Sequence, residues 1–219
     1  YFSIILLIMQ VTERTGNASE IPFAVYLICG LAIWNFTTSS ILGAMNSVQQ
    51  NSGIITKSFF PRFYLILSPI LRSTIDLLIV LSICFLIALY YGLSIRLETL
   101  TYLPNLFVLV WLTTLSWSAL AASATIWNRH LRHLIPVLLY AMIFALPVFY
   151  SISSMENDAL RMVYSFNPVA GGMDYLRACF GGSAPSLTQL MFWSMQAVFW
   201  VLFSVTVFRN TEKSIADKV

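Results

Sequence analysis

Residues 69–92 read PILRSTIDLLIVLSICFLIALYYG, and this stretch decides the class of fold. It contains only two charged residues, Arg72 and Asp76, in 24 positions, and about 20 predominantly apolar residues suffice for a helix to cross a bilayer. The whole chain follows the same pattern, since 58% of its 219 residues are hydrophobic and only 10% are charged. A soluble domain carries about 25% charged residues. The sequence therefore predicts an integral membrane protein.

Apolar windows of similar length recur along the chain and predict an all-α bundle of six transmembrane helices in a single domain, residues 1–219. The first window, residues 1–12, is too short to span a bilayer, so we expect the sequence to begin inside its first span. The five further windows are about 22–45, 69–92, 103–127, 134–150 and 187–208.

The charges between the windows predict the orientation of the bundle. Basic residues are concentrated in the connections after the second and fourth windows and in the C-terminal tail, whereas the opposite connections are richer in acids. Cytoplasmic loops are enriched in Lys and Arg. We therefore expect both termini of the intact chain to be cytoplasmic. In this view "NRHLRH", residues 128–133, is a basic cytoplasmic anchor.

Catalytic and metal-binding motifs with a known mechanism are absent from the sequence, so we predict no catalytic residue and no metal site. Cys29, Cys84 and Cys179 occur singly, which predicts inert buried thiols rather than a disulfide framework. A net charge of +3 without a continuous basic patch argues against nucleic acid.

Polar residues inside the windows allow two interpretations. Asp76 lies four residues after Arg72, so the two most simply neutralise each other near the cytoplasmic end of the span, although a proton-relay role stays open. Hydroxyl and Trp residues in the second and fourth windows could serve tight helix packing or line a pore for a sugar-like substrate. The candidate pore residues are Trp34, Asn35, Thr38, Trp111, Ser116 and Trp117.

The remaining candidate functional residues lie in the two longer connections between the windows. Residues 51–62, NSGIITKSFFPR, can form a short basic and aromatic helix that Pro61 ends, suited either to the membrane surface or to docking on a cytoplasmic partner. In the outer connection, Pro168 can start a short amphipathic helix at or in the outer leaflet, with Gly181 and Gly182 ending it.

These two connections resemble the signature of ABC-2-type exporter permeases of the polysaccharide branch. The first match, which leads into Pro69, comprises Asn51, Ile54, Ile55, Lys57, Phe59, Phe60, Pro61 and Arg62. The second match comprises Asn167, Pro168 and Arg177, in an outer re-entrant region. The family's N-terminal interface helix and the first half of its first span have no counterpart in this sequence.

The resemblance implies a function. Residues 51–62 would be a coupling helix that docks on a separate ATPase subunit, which would use ATP and Mg²⁺ while this chain binds no cofactor. The chain would form a homodimer in the bacterial inner membrane and export a lipid-linked polysaccharide such as O antigen, capsule or teichoic acid. A drug or small-lipid exporter and a membrane-embedded glycosyl- or acyltransferase remain as alternatives.

Overall fold

The computed structural model describes residues 22–51, 63–93, 103–149, 164, 167–181 and 186–216, and its regular elements over these residues are helices. The six helices are α1 (Phe23–Gln50), α2 (Phe63–Tyr90), α3 (Leu103–Trp127), α4 (Leu131–Ala145), α5 (Pro168–Ala178) and α6 (Leu187–Ala216). Of these, α1, α2, α3 and α6 are long and apolar enough to cross a membrane. The predicted all-α class is therefore confirmed, whereas the first window, residues 1–12, lies outside the described residues.

The helices and the predicted windows differ at several boundaries. Helix α2 begins at Phe63, six residues before its window, because Pro69 is accommodated inside the helix instead of starting it. Helix α4 ends at Ala145, before the end of its window, since Leu146 adopts an extended conformation ahead of Pro147. With 15 residues and a length of about 22 Å, α4 is shorter than a bilayer core of about 30 Å.

Two helices form the centre of the bundle and two form its periphery. The most apolar windows of α1 and α3 are each 67% buried, whereas those of α2 and α6 are 22% and 17% buried. Helix α1 packs along both α2 and α3, and α6 packs along α3. The outward faces of α2 and α6 carry exposed leucine, isoleucine and phenylalanine side chains. Such faces suit contact with lipid or with another apolar helix surface.

Buried hydroxyl groups join α1 to α3 in the centre of the bundle. The Thr37 and Thr114 hydroxyl oxygens lie 3.4 Å apart, and both side chains are fully buried. Other hydroxyls of α3 donate to carbonyls of their own helix, as Thr113 does to Leu109 at 2.6 Å. These hydrogen bonds satisfy hydroxyl groups for which lipid offers no hydrogen-bonding partner. Tight packing therefore accounts for most of the hydroxyls in the fourth window.

Helix α5 is enclosed by the bundle. Every residue from Pro168 to Ala178 is buried except Asp174, and the helix contacts α1, α3 and α6. The predicted short helix is thus present, and the bundle buries it around most of its circumference rather than along a single amphipathic face. Small residues allow α5 to pack this closely against its neighbours. A β-carbon added at Gly171 would lie 2.5 Å from the ring of Trp193 in α6.

Candidate functional site

The start of α5 is fixed by the Asn-Pro pair that the sequence singled out. The Asn167 side-chain oxygen accepts a hydrogen bond from the backbone N–H of Val169 at 3.0 Å, as a helix N-cap does. Pro168 occupies the first helical turn, where its missing N–H costs nothing. These two residues therefore define where α5 begins.

Arg177, near the other end of α5, fastens this helix to two other parts of the chain. Its Nη1 donates to the carbonyl of Pro147 at 2.9 Å, and its Nη2 donates to the carbonyl of Val148 at 2.8 Å, both in the turn after α4. Its Nε donates to the carbonyl of Tyr26 in α1 at 3.3 Å. The side chain is 3% exposed, so these contacts compensate a buried charge.

Asp174 supplies the opposite charge from within the same helix. Its Oδ1 lies 3.0 Å from Arg177 Nη1, and the aspartate side chain is 32% exposed. Burial raises the pKa of Asp174, while the charge of Arg177 and its hydrogen bond oppose that rise. Arg177 also requires space in α1, because a β-carbon at Gly30 would lie 2.7 Å from Nη2. The sequence predicted Arg177 as a site residue but not these partners.

A cavity of about 370 Å³, with apolar walls that carry a group of polar side chains, opens between α1, α2 and α4. Two of the predicted pore residues, Asn35 and Thr38, line it together with Ser39, Ser73 and Asp76. Asn35 is the thirteenth of the 28 residues of α1, and Asp76 is the fourteenth of the 28 residues of α2. We call this cavity the polar groove; it lies half-way along both helices.

Asp76 is exposed in the polar groove, and the predicted neutralisation by Arg72 is not observed. Over the described parts of the chain, Asp76 makes neither an ion pair nor a side-chain hydrogen bond, and Arg72 is also exposed. Asp76 also lies at mid-helix rather than near one end, because α2 begins before Pro69. A charged residue at mid-membrane almost always faces a bundle interior or a water-filled cavity.

The other predicted pore residues lie elsewhere in the protomer. Trp34 is 2% exposed, and Ser116 is fully buried with its hydroxyl donating to the carbonyl of Leu112 at 2.8 Å. Trp111 is half-buried and donates from Nε1 to the hydroxyl of Thr74 at 3.2 Å. Trp117 is half-buried. Their role in a pore stays a prediction.

Of the predicted coupling segment, the structure describes only its first residue. Asn51 is the C-cap of α1 and donates from Nδ2 to the carbonyl of Ser47 at 2.8 Å, which ends the helix there. The remaining predicted coupling residues, Ile54, Ile55, Lys57, Phe59, Phe60, Pro61 and Arg62, lie outside the described residues.

Two members of the polar groove were not singled out from the sequence. Ser39 donates to the hydroxyl of Ser73 at 3.0 Å, joining α1 to α2 beside Asp76. The available signal was helical spacing: Ser39 follows Asn35 by four residues, and Asp76 follows Ser73 by three, so each pair shares a face.

No family model matches the chain. It is 24% identical over 209 residues to the O-antigen export system permease protein RfbA of Myxococcus xanthus, an alignment that covers 93% of this chain and 78% of that protein. The chain is a distant homologue of this permease. The resemblance to ABC-2-type permeases is therefore confirmed at the level of distant homology.

Two proteins of the same name from Klebsiella pneumoniae are also similar. Each is 25% identical over 171 residues, which cover 78% of this chain and 62% of the Klebsiella protein. The chain thus spans about three-fifths of the length of these relatives. All three relatives are named as permeases and not as enzymes.

Proposed function

We propose that the chain is the membrane permease subunit of an ABC exporter that moves a lipid-linked polysaccharide across the bacterial cytoplasmic membrane. The polymer is of the O-antigen, capsule or teichoic-acid type, and both termini of the chain are cytoplasmic. The observation that carries the proposal is the distant homology to an O-antigen export permease over 93% of the chain.

The polar groove supplies the part of the path that contacts sugar. Hydroxyl and amide groups of Asn35, Ser39 and Ser73 can exchange hydrogen bonds with sugar hydroxyls, and the carboxylate of Asp76 can accept them. The groove lies at mid-helix, where lipid would satisfy none of these groups. Its presence supports a water-filled passage beside α1, α2 and α4.

A second copy of the chain completes the wall of this passage. Helix α4 is largely exposed along its length, and α2 is buried along only 22% of its most apolar window. A two-fold symmetric homodimer, the commonest form of oligomer, would cover part of this exposed surface and enclose the groove. The dimer thus turns an open groove into a channel.

Energy comes from a separate ATPase subunit, which binds ATP and Mg²⁺. The coupling residues Lys57, Phe60 and Arg62 follow the end of α1 at Asn51 and precede the start of α2 at Phe63. A movement of this segment would reach α1 and α2, two of the three helices that line the polar groove. This arrangement links nucleotide-driven movement of the partner to the path of the polymer.

A second candidate function is export of a drug or a small lipid. An almost wholly apolar cavity of about 460 Å³ lies between α2 and α3, lined by residues such as Leu77, Phe107 and Leu176. It could hold a hydrophobic drug, or equally the lipid portion of a lipid-linked polymer. Transport of a hydrophobic dye without transport of any glycolipid would favour the drug exporter.

Purification from the native host under gentle detergent tests the partnership. We expect the full-length permease to recover a stoichiometric Walker-containing ATPase, and Phe60→Asp to abolish this recovery while the permease still inserts. Tyr91→Asp is the matched control, because Tyr91 is an exposed aromatic residue at the other end of α2. Recovery of the permease without any ATPase would contradict the proposal.

A further inference from the structure

Two cysteines that are far apart in the sequence meet between α1 and α2. The sulfur atoms of Cys29 and Cys84 lie 3.4 Å apart, and both side chains are fully buried. Cys29 is six residues from the start of α1 at Phe23, and Cys84 is six residues from the end of α2 at Tyr90. The two thiols therefore occupy the same level, about 9 Å from the ends of their helices.

This cysteine pair lies close in sequence to two of the contacts made by α5 and the turn after it. Tyr26, one turn before Cys29, receives the hydrogen bond from Arg177 Nε. Phe85, next to Cys84, meets Phe180 just after α5, with ring centroids 5.1 Å apart. A covalent link between the two sulfurs would thus join α1, which contacts α5, to α2, which meets the turn after α5 through Phe85.

The geometry requires little movement to form such a link. A disulfide has a sulfur–sulfur distance of about 2.05 Å, so the two atoms need to approach by roughly 1.4 Å. Cys179 differs from this pair, because its thiol donates to the carbonyl of Tyr175 at 3.6 Å within α5. It therefore serves as an internal reference for a buried thiol whose hydrogen bond goes to a backbone carbonyl and not to another thiol.

We propose that Cys29 and Cys84 form a redox-sensitive dithiol that a peroxide oxidises to a disulfide. One sulfur, as its thiolate, attacks a peroxide oxygen and breaks the O–O bond, and the proton lost from the thiol goes to the departing hydroxide, which yields a sulfenic acid and one water molecule when hydrogen peroxide is the oxidant. The second thiol attacks the sulfenic sulfur and releases the hydroxyl as another water. The two sulfurs lose two electrons in total, and hydrogen peroxide is reduced to two waters.

A small neutral oxidant fits this position. Both thiols are fully buried among apolar residues, so a thiol-exchange protein could not place its own cysteine against either sulfur. Hydrogen peroxide carries no charge and is not much larger than water. The disulfide would hold α1 against α2 at this end of the bundle, and this inference does not depend on the transported substrate.

The test treats the full-length protein in membranes with hydrogen peroxide, blocks the remaining thiols under denaturing conditions, and maps the peptides by mass spectrometry. We expect a cross-linked peptide that joins Cys29 to Cys84, its disappearance on reduction, and a higher apparent Tm for the oxidised protein. Cys179→Ser should give the same cross-link, whereas Cys29→Ser and Cys84→Ser should each abolish it.

The alternative outcomes overturn the inference. If Cys29 and Cys84 both stay reduced at a peroxide dose that fully oxidises an exposed dithiol peptide, the pair is inert. Pairing of either thiol with Cys179 would show that the observed neighbours do not react with each other. The cross-link is measured in the wild-type protein. The test therefore stays decisive even if a serine variant folds poorly.

Discussion

The guanidinium of Arg177 lies over the ring of Tyr26, 3.6 Å from its centroid, and donates a hydrogen bond to the carbonyl of the same residue. The contact joins residues 151 positions apart and fastens α5 to the start of α1. The same side chain also binds the turn after α4. One residue therefore connects three segments at this end of the bundle.

Arg177→Ala should destabilise the protein strongly. The substitution removes the donors to the carbonyls of Pro147 and Val148 and leaves Asp174 without its ion pair. Breaking a buried charge pair typically costs about 3–5 kcal/mol. We expect a large fall in the apparent Tm in detergent, with partial recovery in Arg177→Lys, which keeps the charge but not the planar fork. An unchanged Tm for Arg177→Ala would contradict this structural role.

Gly30→Ala should be destabilising because of its contact with Arg177. The added β-carbon would lie 2.7 Å from Nη2 and 3.1 Å from the carbonyl oxygen of Val148. Overpacking of this kind costs about 1–3 kcal/mol. The cost should shrink in an Arg177→Ala background, since the nearer atom is then gone. Thermal unfolding of the two single variants and the double variant measures this coupling. If the losses of stability in the two single variants simply add in the double variant, the contact between Gly30 and Arg177 is contradicted.

The hydrogen bond between Ser39 and Ser73 should contribute modestly to the packing of α1 on α2. The two hydroxyl oxygens are 3.0 Å apart. Side-chain hydrogen bonds between membrane helices average about 0.6 kcal/mol in double-mutant cycles. A cycle of Ser39→Ala and Ser73→Ala should give a coupling of this size, whereas Ser39→Ala with Ser82→Ala should give none, because Ser82 bonds within its own helix.

Asp76→Asn should reduce polymer export without reducing stability. Asp76 is exposed in the polar groove and has no ion partner among the described residues, so its charge contributes little to folding. Arg72→Gln is the matched control, since Arg72 is exposed on the same helix and does not line the groove. Export rates and apparent Tm values of both variants measure the effect. Equal export by Asp76→Asn and the wild type would remove Asp76 from the substrate path.

Patterns of apolar length and turn residues predicted much of the fold. The windows 103–127 and 187–208 each lie within a helix, the window 22–45 does so from Phe23 onward, and Pro168 starts the short helix α5 as expected. These features depend on neighbouring residues in the sequence. Pro69 misled the prediction of where α2 begins, because a proline inside a long helix and one at its start look alike in a sequence.

Contacts between distant residues could not be predicted in the same way. Arg177 was identified as a site residue, but its bonds to Tyr26, Pro147 and Val148 depend on how the helices pack. The same reason explains why Cys29 and Cys84 looked like isolated thiols, 55 residues apart. For Asp76, helical spacing suggested Arg72 as a partner, yet both side chains are exposed and do not form an ion pair with each other.

ATP-dependent translocation in proteoliposomes tests the central claim most directly. The full-length permease is reconstituted with its co-purified ATPase, and a lipid-linked polysaccharide supplied on the ATPase side is followed to the opposite side. We predict transport that requires ATP hydrolysis and stops with Phe60→Asp, while the permease variant remains folded in the membrane. Hydrolysis without movement of any lipid-linked polysaccharide, together with transport of a hydrophobic dye, would contradict the account.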